Sequence, residues 1–142
     1  MTILERGAVR SVNTGDLPWR PSTFAAGVLV KDIATTDGWE MQVVRVEPGA
    51  RFPVHAHERP EFIYVLEGEL IQGGRRLGPG WASVASAGSV DDDVRSDTGA
   101  CSCSWITRDP DGQAGGGCIA ATGPGVVPWR RRWPSSAAVS AD

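Results

Sequence analysis

The chain has 142 residues, three cysteines and a formal charge of −3, with a pI near 5.3. That length suits one domain with a single core, and the acidic balance excludes a general attraction to nucleic acid. No apolar leader opens the sequence, no stretch approaches membrane-spanning length, and the odd cysteine count points to thiols, so a cytoplasmic protein without a membrane partner is expected.

Residues 1–24 read as an N-terminal arm broken by Gly15, Pro18 and Pro21. Trp19 within it either covers an end of the fold, reaches a partner subunit or fills a local gap. Residues 25–108 carry the core. From Ala26 onward Val28, Leu29, Val30 and Ile33 predict a first strand, and Thr36-Asp37-Gly38 predicts a turn. Residues 39–47 follow as a strand with Trp39, Met41 and Val43 on one face and Val44 and Val46 on the other, a pattern that suits burial on both sides. Residues 50–56 and 61–66 predict two antiparallel strands. Shorter ones are expected at 70–72 and 75–77, and a last clear one at 98–107. Short strands, regular turn signals and no helical period argue for an all-β sandwich or barrel with little helix.

His55 and His57 are the only histidines. Two residues apart on an extended strand, they project from one face. Glu61 begins the next strand, and a short turn can carry its carboxylate over the same face. Two imidazoles and a carboxylate form a ligand set for a divalent transition metal. The run from Gly49 to Gly68, with His55, His57 and Glu61 at fixed spacing inside it, resembles the first motif of the cupin superfamily. The resemblance implies a single-domain cupin β-barrel (a double-stranded β-helix, or jelly roll) whose metal is held by His55, His57 and Glu61. Gly78-Pro79-Gly80 resembles the second motif. Where that motif places a further histidine, this sequence has Asp91. With Asp91 as a ligand the donors become two nitrogens and two oxygens, favouring Fe(II), Mn(II) or Zn(II).

The stretch 19–107 is also similar to the cupin-like domain of zinc-binding anti-sigma factors and to stand-alone cupins of the aromatic-ketone dioxygenase type. This resemblance implies a metal-dependent oxidoreductase of dioxygenase type acting on a small oxygenated substrate, a ketone, diketone or aromatic compound. Two alternatives stand beside it: a redox-silent Lewis-acid isomerase or polyketide-type cyclase, and a non-catalytic sensor that binds a metal or small molecule. Glu61, Asp91 and Asp93 are the candidate catalytic carboxylates, with Asp93 expected on the same strand face as Asp91. Trp39, Met41, Phe52, Tyr64, Trp81 and Trp105 line the substrate pocket if they face inward, and are ordinary core otherwise. Cys101 and Cys103 share one face of the last strand, as added metal ligands or as inert small hydrophobes. Residues 109–142 read as a Gly-rich loop and a tail whose Trp129 and Trp133 pack on the barrel. A homodimer is expected, the arm lying against a neighbour's sheet edge.

Overall fold

Where β-branched side chains alternate with polar ones, the chain is extended; where Gly, Pro or Asp cluster, it turns. A computed structural model describes residues 2–107. Among them are eleven strands, one 3-10 turn at Thr14–Asp16 and no α-helix. The strands are β1 (Arg20–Pro21), β2 (Val28–Thr36), β3 (Trp39–Val46), β4 (His55–Ala56), β5 (Glu61–Gly68), β6 (Leu70–Gln72), β7 (Arg75–Leu77), β8 (Ala82–Ala85), β9 (Val90–Asp91), β10 (Val94–Arg95) and β11 (Ala100–Thr107). The residues expected to form the Gly-rich loop and the Trp129–Trp133 tail lie outside the described residues.

A six-stranded antiparallel sheet runs β1-β2-β3-β11-β5-β8. Facing it are a three-stranded sheet, β10-β6-β7, and a two-stranded pair, β4-β9. Val28, Val30, Val44, Val46, Val65 and Ala100 from the large sheet meet Leu70, Leu77 and Val94 from the small one in a single buried cluster. Burying a valine or leucine side chain fully stabilises by roughly 1.5–3 kcal/mol. Alternation then sends the intervening side chains outward: Trp39, Met41, Val43 and Arg45 on β3, and Cys101, Cys103 and Trp105 on β11.

The β2–β3 turn falls within the expected Thr36-Asp37-Gly38, at Asp37-Gly38, with Thr36 ending β2. Both residues have positive φ, 49° and 76°, as a two-residue type I′ hairpin requires. Gly68 ends β5 at φ +71°, so close to the neighbouring strand that a Cβ there would stand 2.1 Å from the Gly99 carbonyl oxygen. The expected strand at 50–56 shortens to His55–Ala56, with an isolated bridge from Arg51 to Arg95. Pro53 has no N–H to give a ladder, which confines regular pairing to the residues after it. The N-terminal arm is tied to the barrel by β1 and by a bridge from Ile3 to Thr35. Trp19 lies on the outer face, with Lys31 Nζ 4.7 Å and the Arg45 guanidinium carbon 5.0 Å from its ring centre.

Candidate metal centre

The β4-β9 pair builds the site. His55 sits opposite Asp91 in the register, and Ala56 opposite Val90. His57 is held just beyond the strand end, its N–H donating to the Ser89 carbonyl at 2.9 Å and its own carbonyl accepting from Gly88 at 2.7 Å. The two imidazoles therefore leave the chain on one side, with ring centres 4.8 Å apart.

His55 Nδ1 lies 2.9 Å from the Pro53 carbonyl oxygen. That oxygen can only accept, so Nδ1 carries the proton and Nε2 keeps a free lone pair. Phe24 packs edge-on to the same ring at 5.0 Å. His57 Nε2 is 3.0 Å and His55 Nε2 3.9 Å from Asp91 Oδ2. One donor atom from each of His55, His57 and Asp91 lies within 4.8 Å of the others. The Gln72 amide donates to both Asp91 oxygens at 3.1 Å and accepts from Ser83 Oγ through its own oxygen. This outer layer fixes the carboxylate as Pro53 fixes the histidine. Two neutral imidazole nitrogens and an anionic oxygen are the donors a borderline divalent cation takes, so the residues present fit the implied metal.

Glu61 is not among the three converging groups. Its Oε2 lies 3.3 Å from His57 Nδ1, the ring nitrogen on the other side from Asp91. Burial pushes the Glu61 carboxyl above the usual carboxylate range; the two histidines oppose that shift and Asp91 adds to it.

Asp93 requires a correction as a candidate catalytic group. The chain bends at Asp92, between β9 and β10, so the alternation that would have put Asp93 beside Asp91 is lost. Its carboxylate pairs instead with Arg95 and, at 3.5 Å, with Arg51. The Arg95 hydrogen bonds and then the charges of both arginines hold it below its ordinary pKa.

The site opens on an interior cavity of about 490 Å³ walled by Val28, Val30, Val44, Phe52, Ile63 and Val94, with the 58–61 loop at its rim. Of the six aromatic and methionine positions read as pocket, only Phe52 lines it. Trp39, Tyr64 and Trp105 line a groove on the opposite, outer face of the large sheet, where the Trp39 and Phe62 rings meet at a tilt of 47° with centres 5.8 Å apart. Met41 pairs with Trp105 in register and shares that face. Trp81 stands half exposed in a turn, with the Arg75 guanidinium carbon 6.0 Å from its ring centre. Cys101 and Cys103 also point away from the cavity. Burial pushes the Cys101 thiol up to about 11.

Sequence reasoning missed Phe24, Gln72 and a polar band inside the barrel formed by Arg20, Asp32, Glu40 and Gln42. Arg20 holds Asp32 through two N–H groups, and the Gln42 amide bridges Asp32 and Glu40. Gln42 alternates with Val44 and Val46, which was the available sign that it faces inward.

A family model described as the ChrR cupin-like domain matches residues 8–107. The comparison with curated protein sequences found no match. Among solved structures the chain is similar to an acetylacetone dioxygenase from Acinetobacter johnsonii, at 12% identity and TM-score 0.61, over 82% of this chain and 85% of that one. It is similar also to the polyketide cyclase RemF from Streptomyces resistomycificus, at 21% identity and TM-score 0.61, over 70% and 79% of the two chains. The Rhodobacter sphaeroides complex of SigE with the anti-sigma ChrR gives 24% identity and TM-score 0.56, over 68% of this chain and 51% of that one.

Proposed function

Since the chain belongs to the ChrR cupin-like domain family, we propose that it is a metal-dependent enzyme of dioxygenase type acting on a small ketone, diketone or aromatic ketone. One observation carries this reading: three donor atoms converge within 4.8 Å on the wall of a cavity lined by apolar and polar side chains. A cavity of about 490 Å³ suits a molecule of metabolite size.

His55, His57 and Asp91 would hold Fe(II), Mn(II) or Zn(II), with Glu61 at the margin of that set. A bound ion of this kind would polarise a substrate oxygen and, if redox-active, support chemistry with O2. Pro53 and Phe24 keep the His55 ring in one orientation, and Gln72 does the same for the Asp91 carboxylate. Glu61 steadies His57, and its buried carboxyl is placed to exchange a proton with substrate at Oε1 or Oε2. Val28, Val30, Val44 and Phe52 give a substrate lying against the site an apolar surface to pack on.

A second reading is a redox-silent Lewis-acid isomerase or cyclase, supported by the similarity to a polyketide cyclase and by a donor set that suits Zn(II) or Mn(II) as well as Fe(II). The protein is further proposed to act in the cytoplasm as a homodimer, which light scattering tests as twice the chain mass.

Tag-free protein should carry close to one transition metal per chain. That metal should be lost when His55 and His57 are both replaced by alanine, and held more weakly in Asp91→Asn. Metal unchanged in the double variant removes the site. Protein loaded with Fe(II) without air is then offered β-diketones and aryl ketones. Oxygen uptake that needs both iron and substrate supports the dioxygenase. Turnover without O2, equally good with Zn(II), moves the assignment to the isomerase or cyclase, and no turnover at all leaves a binding or sensing protein.

A further inference from the structure

Strand alternation leaves a broad apolar surface on the outer face of the large sheet. Trp39 of β3, Trp105 of β11, Phe62 and Tyr64 of β5 and Val84 of β8 line a groove across adjacent strands. The register sets Trp105 between Met41 and Phe62, and Phe62 beside Val84. Trp39, Phe62, Tyr64 and Val84 are 38%, 38%, 43% and 63% exposed. A contiguous apolar patch of this kind marks a surface made to be covered. At the β2 side of the same face a terminal segment already provides cover. There Trp19 of the N-terminal arm lies against Lys31 of β2 and Arg45 of β3. Among the described residues, none does the same for the groove.

The sequence beyond the described residues supplies a fitting occupant. β11 ends at Thr107, opposite Trp39, so the chain continues from the edge of the groove itself. Strands lie about 4.8 Å apart, which makes the groove roughly 15 Å wide from β3 to β8. Residues 108–128 separate Thr107 from Trp129 and carry glycine at 112, 115, 116, 117, 123 and 125. A glycine-rich linker of that length has a root-mean-square span of about 25 Å, enough to reach any part of the groove. Val126, Val127, Trp129 and Trp133 make the segment beyond it apolar, and Arg130, Arg131 and Arg132 suit the faces of exposed aromatic rings. No cationic side chain is among the residues lining the groove to repel them. A tether matched to the distance gives an effective concentration on the order of millimolar, which a second copy of the chain at micromolar concentration does not approach.

We propose that residues 126–133 dock in the outer groove of their own chain, with Trp129 and Trp133 packed against Trp39, Phe62 and Trp105. The docked segment covers the apolar surface beside β8, the edge strand at this end of the sheet, and so keeps that edge from pairing with another barrel. The opposite edge is β1, so a dimer formed through the N-terminal arm is compatible with it. The assignment is independent of the metal centre.

The test is hydroxyl-radical labelling of the full-length chain, read residue by residue by mass spectrometry. Trp81, 48% exposed in a turn outside the groove, is the internal standard for Trp39, 38% exposed within it. A docked tryptophan removes on the order of 150–250 Å² from water, so Trp39 should label several-fold more slowly than Trp81 in the parent. Replacing Trp129 and Trp133 together by serine should bring the two rates together and raise labelling of Tyr64. Val84→Arg changes an exposed side chain of the edge strand, sets a cation against Arg130, Arg131 and Arg132, and should act in the same direction. Circular dichroism checks that both variants keep the parent's sheet. Protection of Trp39 should be equal at about 1 and about 100 µM protein, as an intramolecular contact requires. Equal labelling of Trp39 and Trp81 in the parent, or protection unchanged in either variant, overturns the assignment. Protection that appears only at the higher concentration overturns it too, and gives the groove to a second copy of the chain.

Discussion

Gly68→Ala separates two costs that usually arrive together. At φ +71° a residue with a Cβ is strained by roughly 1–2 kcal/mol, whatever its surroundings. The added carbon would also stand 2.1 Å from the Gly99 carbonyl oxygen and 2.9 Å from both the Gly99 carbonyl carbon and Ala100 Cα. All three are backbone atoms of the adjoining strand, so the two chains must part by more than an ångström. That movement breaks into the Gly68–Ala100 pairing and the 3.1 Å bond from the Glu69 N–H to the Gly99 carbonyl, at about 1 kcal/mol for each hydrogen bond lost. The sum is about 3–5 kcal/mol, a large part of the stability of a domain this size. Gly49 is the control. Its φ is +82° with nothing within 4 Å of the added carbon, so Gly49→Ala meets the dihedral cost alone. Thermal unfolding followed by circular dichroism should show a drop of about 10–20 °C for Gly68→Ala and about 3–6 °C for Gly49→Ala. Equal drops in the two variants would refute the steric argument.

Asp32 sits below its ordinary pKa, chiefly through its hydrogen bonds from Arg20. A depressed folded-state pKa contributes stability that is complete above the unfolded value of about 4 and is lost as pH falls through the folded one. Asp32→Asn should therefore unfold at lower temperature than the parent at pH 7, with the gap closing below about pH 4; a gap independent of pH would contradict this. Cys101, raised to about 11, should alkylate slowly at pH 7 and faster as pH approaches that value. Rapid labelling of the native protein at pH 7, read by peptide mass spectrometry, would show the thiol to be less buried than described.

The strands of the large sheet were legible because their ends carry unambiguous turn chemistry, Asp37-Gly38 above all. The histidine pair was legible because period-two alternation fixes its face wherever the strand lies. What failed was the choice of face for the aromatics. On β3 both Val43 and Val44 are buried, so hydrophobicity alone does not tell inside from outside, and it leaves open whether Trp39, Tyr64 and Trp105 face inward; they line the outer groove. Glu40 and Gln42 misled in the opposite sense. They are polar and buried, stabilised by neighbours from β1 and β2 that no local window contains. Asp93 was misplaced because a bend at one residue reverses every later assignment of face.

The pair β4–β9 has two rungs and joins parts of the chain far apart in sequence: His57 and Asp91 are separated by 34 positions. Long loops are inexpensive to close, each doubling of length adding only about 0.6 kcal/mol, so the strength of this closure is set by what holds its ends. An ion shared between them would be a removable cross-link, adding its binding free energy to the folded state alone and released by a chelator instead of a reductant. Release would loosen the rim while the β3–β11–β5 ladder stayed closed. Amide exchange at His57, whose N–H bonds across to Ser89, would then report occupancy of the centre before any change in the melting of the whole barrel.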